Sequence, residues 1–206
     1  MFLNQKYFPD LTIDQLAKFK KLEEVYQKWN KRVNLISRRD VDNLYLHHVL
    51  PSLSIAKVVE FKPGTKILDV GTGGGFPGIP LDIMFPQAHF TLIDSVGKKI
   101  DAVQGIADEL ELKNVEARKA RSEEVKEQFD FILGRAISPL DVFYKKVKDN
   151  IKEKSFNDIK NGILYLGDTE NIKKKDILKK IQVFNLEEYF EEEYFKERKI
   201  LYCTID

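Results

Sequence analysis

The chain has 206 residues, and its 34 Lys and Arg against 33 Asp and Glu leave a formal net charge of +1. The overall charge therefore does not mark a nucleic-acid binder, and only local clusters could. Hydrophobic residues at 43% beside 33% charged residues are the balance of a soluble globular protein, long enough for one well-buried α/β core with a small appendage.

A single cysteine, Cys203, excludes an internal disulfide and a cysteine zinc cluster. His47, His48 and His89 lack partners at ligand spacing, so no metal is expected. The N-terminal stretch reaches Asp10 without a cleavable apolar core. Nothing approaches the roughly 18 consecutive apolar residues of a membrane span. A cytoplasmic protein is expected.

Thr12 and Gln15 form a capping-box pattern. Behind it Ile13, Leu16, Leu22, Val25, Tyr26 and Trp29 recur at helical spacing, which predicts a helix from 13 to about 30. A second helical stretch starts near Asp40 and runs to about His48, where Pro51 interrupts or restarts it. Between them the run 28–39 carries five bases, Lys28, Lys31, Arg32, Arg38 and Arg39, and no acid. Residues 1–60 thus read as a helical layer, and 61–206 as the core of a single overall domain.

From residue 61 strands and helices alternate. "KILDV" ends at a glycine loop, "HFTLID" (89–94) is a second strand, and 98–110 is the helix after it. "NVEAR" (114–118), "FDFILGRA" (129–136) and "GILYLG" (162–167) supply three more strands. Ser138-Pro139 reads as an N-cap and first-turn proline for a helix through Asn150. Two strands, near "KKIQVFNL" and "RKILYCTI", close the chain. The run 187–195 between them has five acids and no base, which suits an exposed loop or hairpin end. Apolar strands alternating with helices predict a parallel sheet buried on both faces.

The segment Asp69–Gly78 places five glycines within eight residues, between a strand and a helix. That is the context a nucleotide-binding loop requires. A P-loop is excluded, because no Gly-Lys-Ser/Thr follows. Gly73-x-Gly75-x-x-Gly78 matches the dinucleotide fingerprint, whereas Asp69 followed by Gly71-x-Gly73-x-Gly75 is the pattern of S-adenosylmethionine (AdoMet) loops. A carboxylate facing the crevice would repel a pyrophosphate and suits the ammonium and sulfonium of AdoMet. Asp94, ending the second strand, would accept ribose hydroxyls in either case. Electrostatics favour AdoMet, and the glycine spacing alone leaves a nicotinamide-dependent oxidoreductase open, although no Tyr-x-x-x-Lys pair accompanies it.

The pieces "WNKRVNL" (29–35), "HVLPSL" (48–53), "DVGTGGGFPGIPL" (69–81), "TLIDSVGKK" (91–99), "ARSEE" (120–124) and "FDFILGRA" (129–136) together resemble the bacterial small-subunit ribosomal RNA guanine-N7 methyltransferase family, also called glucose-inhibited division protein B. The resemblance covers about half the chain. It implies a Rossmann-like class I AdoMet-dependent methyltransferase, a seven-stranded, mostly parallel sheet between helices with an N-terminal helical extension. It also implies AdoMet as donor and, as target, N7 of one guanosine of 16S ribosomal RNA, number 527 in the family.

Carried over by position, Asp69, Gly71, Gly73 and Phe76 would serve AdoMet from the first loop, with Phe76 as a pocket wall. Asp94 would hold the ribose, and Ser122 and Glu123 would border the adenine. Arg135 would stand at the cofactor or target base, faced by His48. Lys28, Lys31, Arg32, Arg38, Arg39 and Arg121 would contact RNA, with Arg118 and Lys119 nearby. A monomer working on RNA or the small subunit, without metal, is the expected form.

Three departures accompany the resemblance. Pro51 stands where the family usually has Asp, Gly134 replaces a serine, and Leu166-Gly167-Asp168 lacks the lysine of Leu-Lys-Gly. A non-catalytic AdoMet- or RNA-binding module with the same fold is the alternative. No Asn/Asp-Pro-Pro-aromatic motif follows the fourth strand, and Cys203 lies in the last strand, so amino-group and cytosine-C5 chemistry are not indicated.

Overall fold

The structure, a computed structural model, describes residues 3–37, 40–167 and 180–205. Arg38, Arg39 and Asp168 lie outside the described residues. Seven strands form one sheet: β1 (Lys66–Val70), β2 (His89–Asp94), β3 (Val115–Lys119), β4 (Phe131–Arg135), β5 (Gly162–Gly167), β6 (Ile181–Asn185) and β7 (Lys199–Thr204). Their order is β3-β2-β1-β4-β5-β7-β6. The first five are parallel, while β7 runs antiparallel between β5 and β6. Ile67, Leu68, Ile132, Leu133, Ile163 and Leu164 are fully buried, as strands covered on both faces require.

Chain order reverses between β1 and β4, whose register pairs Val70 with Gly134. The segments after Val70 and Gly134 therefore leave the sheet side by side. This is the switch point where open α/β sheets leave a crevice for ligands.

The helices are α1 (Leu3–Tyr7), α2 (Ile13–Asn30), α3 (Leu50–Leu53), α4 (Gly78–Met84), α5 (Gly97–Glu109) and α6 (Leu140–Val147). At the start of α2 the expected capping box forms: Thr12 Oγ1 accepts Gln15 N–H at 3.2 Å, and Gln15 Oε1 accepts Thr12 N–H at 2.9 Å. Its buried face is Phe19, Leu22, Val25 and Tyr26. Ile13, counted on that face from spacing, is 89% exposed; in this first turn it is Gln15 that faces the fold, its amide donating to the carbonyls of Ile83 and Met84. One apolar core runs from Phe19 through β1, β2 and β4 to Tyr202, joining the N-terminal helices to the sheet. No helix among the described residues is long and apolar enough to cross a membrane.

One local expectation is narrowed to its second form, a restart at Pro51, and two change. Helical winding continues through Pro51, from a 3-10 turn (Val41–Asn43) through a π-turn (Tyr45–Val49) into α3 and a further 3-10 turn (Ser54–Lys57). In the π-turn the N–H of Leu50 reaches back to Tyr45 O, and proline is tolerated in the first turn of α3 that follows. Pro139, not Ser138, caps α6: its ψ of 142° is extended, and its carbonyl takes the N–H groups of Val142 and Phe143, both at 3.0 Å. The acidic segment is no simple exposed loop. Its carboxylates face outward, but Phe190 and Phe195 stack at 4.3 Å and are 2% and 0% exposed. Lys6 pairs with Glu191 at 2.8 Å, and the Tyr7 hydroxyl donates to Glu192 at 2.7 Å, so α1 is fastened to this turn.

Candidate active site

After Val70 the chain turns at Gly71 (φ +64°) and Gly73 (φ +59°), backbone that L side chains rarely adopt. Asp69 lies on the sheet face opposite Leu68 and Val70, beneath this loop. Its Oδ2 accepts the Thr72 hydroxyl at 2.6 Å and the Gly78 N–H at 3.0 Å, tying the start of the loop to α4. The carboxyl expected to face the crevice is thus 1% exposed and acts first as the floor of the loop. Burial pushes it up to about 7 despite those two bonds. Its Oδ1 is buried without a hydrogen-bond partner among the described residues.

Asp94 completes the loop from β2. Its Oδ2 accepts Gly73 N–H at 3.1 Å and its Oδ1 accepts Val96 N–H at 2.9 Å. Gly71, Gly73, Asp69 and Asp94 are therefore one connected unit. Ser122 and Glu123 stand on a 3-10 turn after β3 and bond elsewhere. The Ser122 hydroxyl donates to Glu123 Oε2 at 3.0 Å, and Lys146 of α6 pairs with Oε1 at 3.0 Å. The backbone N–H of Glu123, then Lys146 and Ser122, hold the Glu123 carboxyl down at about 2.

Phe76, expected as a pocket wall, is 6% exposed and belongs to the core. Its ring stacks on Tyr26 at 4.9 Å and tilts against His48 at 5.0 Å. The reason is Tyr26, whose hydroxyl donates to Gly74 O at 2.7 Å and draws the loop down onto α2.

Arg135, on the last residue of β4, donates from Nη2 to His47 O at 3.0 Å and meets His48 Nδ1 at 3.2 Å. A guanidinium only donates, so Nδ1 accepts and the imidazole proton sits on Nε2. Burial first, then Arg135, pushes His48 down to about 4, which keeps the ring neutral at neutral pH. Arg135 Nη1 and His48 Nε2 are both buried without partners among the described residues. Unsatisfied buried polar atoms are rare in folded proteins. These two and Asp69 Oδ1 gather where β1 and β4 part.

Beyond Arg135 the chain crosses Ala136 (φ +52°) to Ile137, whose side chain lies on Gly71; a Cβ there would stand 3.2 Å from it. Tyr165 holds this segment, its hydroxyl donating to Ser138 O at 2.7 Å and accepting Ile137 N–H at 3.3 Å. On the far side opens a cavity of about 550 Å³, lined among others by Pro51, Arg135, Pro139, Tyr165, Tyr194 and Arg198. Ile137 thus touches the glycine loop, and with Arg135 it lines the cavity.

The basic residues separate into groups. Lys31 and Arg32 line a hollow of about 500 Å³ with Asn30, Asn34 and Ser37. Asn30 Oδ1 shapes it by accepting the N–H groups of Leu35 and Ile36 at 2.8 and 3.1 Å. Leu35 O lies so close to Gly74 that a Cβ there would be 3.1 Å away, so the hollow adjoins the glycine loop. Lys28 points instead to α5 and pairs with Glu109 at 2.9 Å; its position on the helix, not its charge, decides this. Arg118 pairs with Glu127 at 2.7 Å, and Arg121 is exposed. Sequence reasoning missed Tyr26, Thr72, Tyr165 and Tyr194 as site residues. Only Tyr26, an apolar-face residue with a hydroxyl to satisfy, carried a signal.

The sheet order, the glycine turn after β1 and the carboxylate after β2 define a class I AdoMet-dependent methyltransferase fold. The chain superposes on a SAM dependent methyltransferase from Aquifex aeolicus with a TM-score of 0.53 at 20% identity, covering 78% of this chain and 92% of that one. It superposes on MtNAS in complex with S-adenosylmethionine with a TM-score of 0.57 at 10% identity, covering 95% and 78%. At these identities the likeness establishes the fold.

The family described as rRNA small subunit methyltransferase G matches residues 15–199. Ribosomal RNA small subunit methyltransferase G of Flavobacterium johnsoniae is 49% identical over 200 residues, 97% of this chain and 96% of the relative. The protein of that name from Christiangramia forsetii is 48% identical over 203 residues, 98% and 96%. The chain belongs to the rRNA small subunit methyltransferase G family.

Proposed function

We propose that the chain transfers a methyl group from AdoMet to N7 of one guanosine of 16S ribosomal RNA, the position numbered 527 in the family. The observation that carries this reading is the polar cluster of Arg135, His48 and Asp69 at the split between β1 and β4, with the glycine loop on one side and the cavity on the other.

The residues fit AdoMet. A Cβ at Gly73 would meet only Gly71 O, at 3.9 Å, which leaves room for a ligand, and Asp94 is fixed at the end of β2 as an acceptor for ribose hydroxyls. The buried, unpartnered Oδ1 of Asp69 gives the loop a negative potential suited to a cationic ligand. In this reading Gly71, Gly73 and Asp94 hold the cofactor, Ser122 and Glu123 border its adenine, and Phe76 supports the loop from behind. AdoMet supplies an electrophilic methyl on its sulfonium.

The cavity beyond Ile137 receives the target base in this reading. Guanine N7 carries an in-plane lone pair and loses no proton before attack, so the chain's task is positioning rather than general-base catalysis. A His48 held neutral, with its proton fixed on Nε2, agrees with that division of labour. Lys31 and Arg32, with Arg38, Arg39 and Arg121, meet phosphates of the structured RNA.

The test is transfer of labelled methyl from AdoMet to small-subunit RNA, followed by mapping of N7-methylguanosine. We expect one labelled site, and a loss of about 100-fold or more in kcat/KM for Arg135→Ala. AdoMet binding without methyl transfer to any ribosomal RNA would identify a binding module and overturn the proposal.

A further inference from the structure

Arg135 is a half-buried cation that makes no ion pair among the described residues. Its Nη2 is held by two neutral acceptors, the carbonyl of His47 and the imidazole of His48. The carbonyl is available for a reason written in the sequence. In an α-helix the carbonyl of residue 47 receives the N–H of residue 51, and position 51 is proline, which has none. Ahead of it the turn is widened, with Leu50 N–H bonded to Tyr45 O.

The same carbonyl accepts a second bond, from the hydroxyl of Tyr194 at 3.1 Å. Tyr194 comes from the turn before β7 and is itself held in place. Its ring stacks on His47 at 4.5 Å with 17° between planes, and the Arg198 guanidinium lies 3.8 Å from its centroid. Arg198 Nε also donates to Tyr194 O at 2.7 Å.

We propose that Pro51 and Tyr194 are positioning residues, which fix Arg135 through the carbonyl of His47. A carboxylate in that place would engage the guanidinium bidentately and occupy both terminal nitrogens. A carbonyl and a ring nitrogen hold Nη2 alone, and Nη1 stays buried and unbonded beside the cavity. Pro51 keeps the carbonyl clear of a helical donor, and Tyr194 fixes its direction from the opposite end of the chain.

The inference rests on the methyltransferase reading for its kinetic consequence but not for its structural one. The full-length protein, labelled with 15N-histidine, reports the His48 tautomer by long-range 1H–15N NMR without any substrate. Wild type should show Nε2–H with Nδ1 as acceptor, and Arg135→Ala supplies the signature of a released ring. Pro51→Ala, which restores a competing N–H, and Tyr194→Phe, which keeps the packed ring, should both move towards that signature. Their kcat should fall about tenfold with the KM for AdoMet unchanged. Wild-type His48 signals in a folded Tyr194→Phe variant would overturn the proposal, even if Pro51→Ala does not fold. If wild type transfers no methyl group, the methyltransferase reading fails, while the NMR comparison still decides the clamp.

Discussion

Tyr26 is the residue on which the glycine loop leans. It is fully buried in α2, its ring against Phe76 and its hydroxyl bonded to Gly74 O. Tyr26→Phe leaves the ring in place and strands a buried carbonyl, at a cost of about 1–3 kcal/mol. We expect a lower midpoint in thermal unfolding and weaker AdoMet binding by titration calorimetry. A variant with unchanged binding would show that the loop holds its shape without α2. At this scale the sequence was partly legible. Gly71, Gly73 and Asp94 are conspicuous because each residue type answers a backbone or charge requirement at a strand end. Phe76 misled, because an aromatic beside Pro-Gly in a loop fits a pocket wall as well as a core. Only the partner that packs on it, Tyr26, decides between the two.

Strands and long helices were the most legible elements, since a buried parallel strand is an apolar run and α2 declares its own cap. The connections were less so. Whether the helix around Pro51 breaks or continues depends on a widened turn that no local propensity encodes. In 187–195 the five carboxylates hid four aromatics, Tyr189, Phe190, Tyr194 and Phe195, that do the packing.

The loop between β1 and α4 makes a pH prediction of its own. Burial raises the Asp69 carboxyl from 3.8 to about 7, so below that value the free protein carries it largely protonated. A cationic ligand favours the ionised form. Binding therefore releases a proton at pH 6 and none at pH 8, and affinity climbs as pH rises towards about 7, then levels. Titrations of AdoMet between pH 6 and 8 should show this climb in wild type and a flat profile in Asp69→Asn. Equal slopes would remove Asp69 from the electrostatics of binding.

Across the whole molecule, near-neutral charge conceals a divided surface. Lys31 and Arg32 line a hollow beyond the end of α2, while the carboxylates of 187–193 cluster at the turn fastened to α1. RNA held by a few phosphate contacts should bind with a shallow salt dependence, each contact contributing to the slope. Arg32→Glu is expected to weaken binding of small-subunit RNA several-fold at low salt, reduce the salt slope by about one unit, and leave AdoMet affinity intact. Identical salt titrations for variant and wild type would take Arg32 off the RNA surface.

The clasp on the His47 carbonyl also ties distant segments of the chain together. Tyr194 and Arg198 follow His47 and the glycine loop by more than a hundred residues. Tyr194 is that carbonyl's second donor beside Arg135, and with Arg198 it also lines the cavity. A change in the turn before β7 is therefore felt at the end of β4, through a single backbone carbonyl.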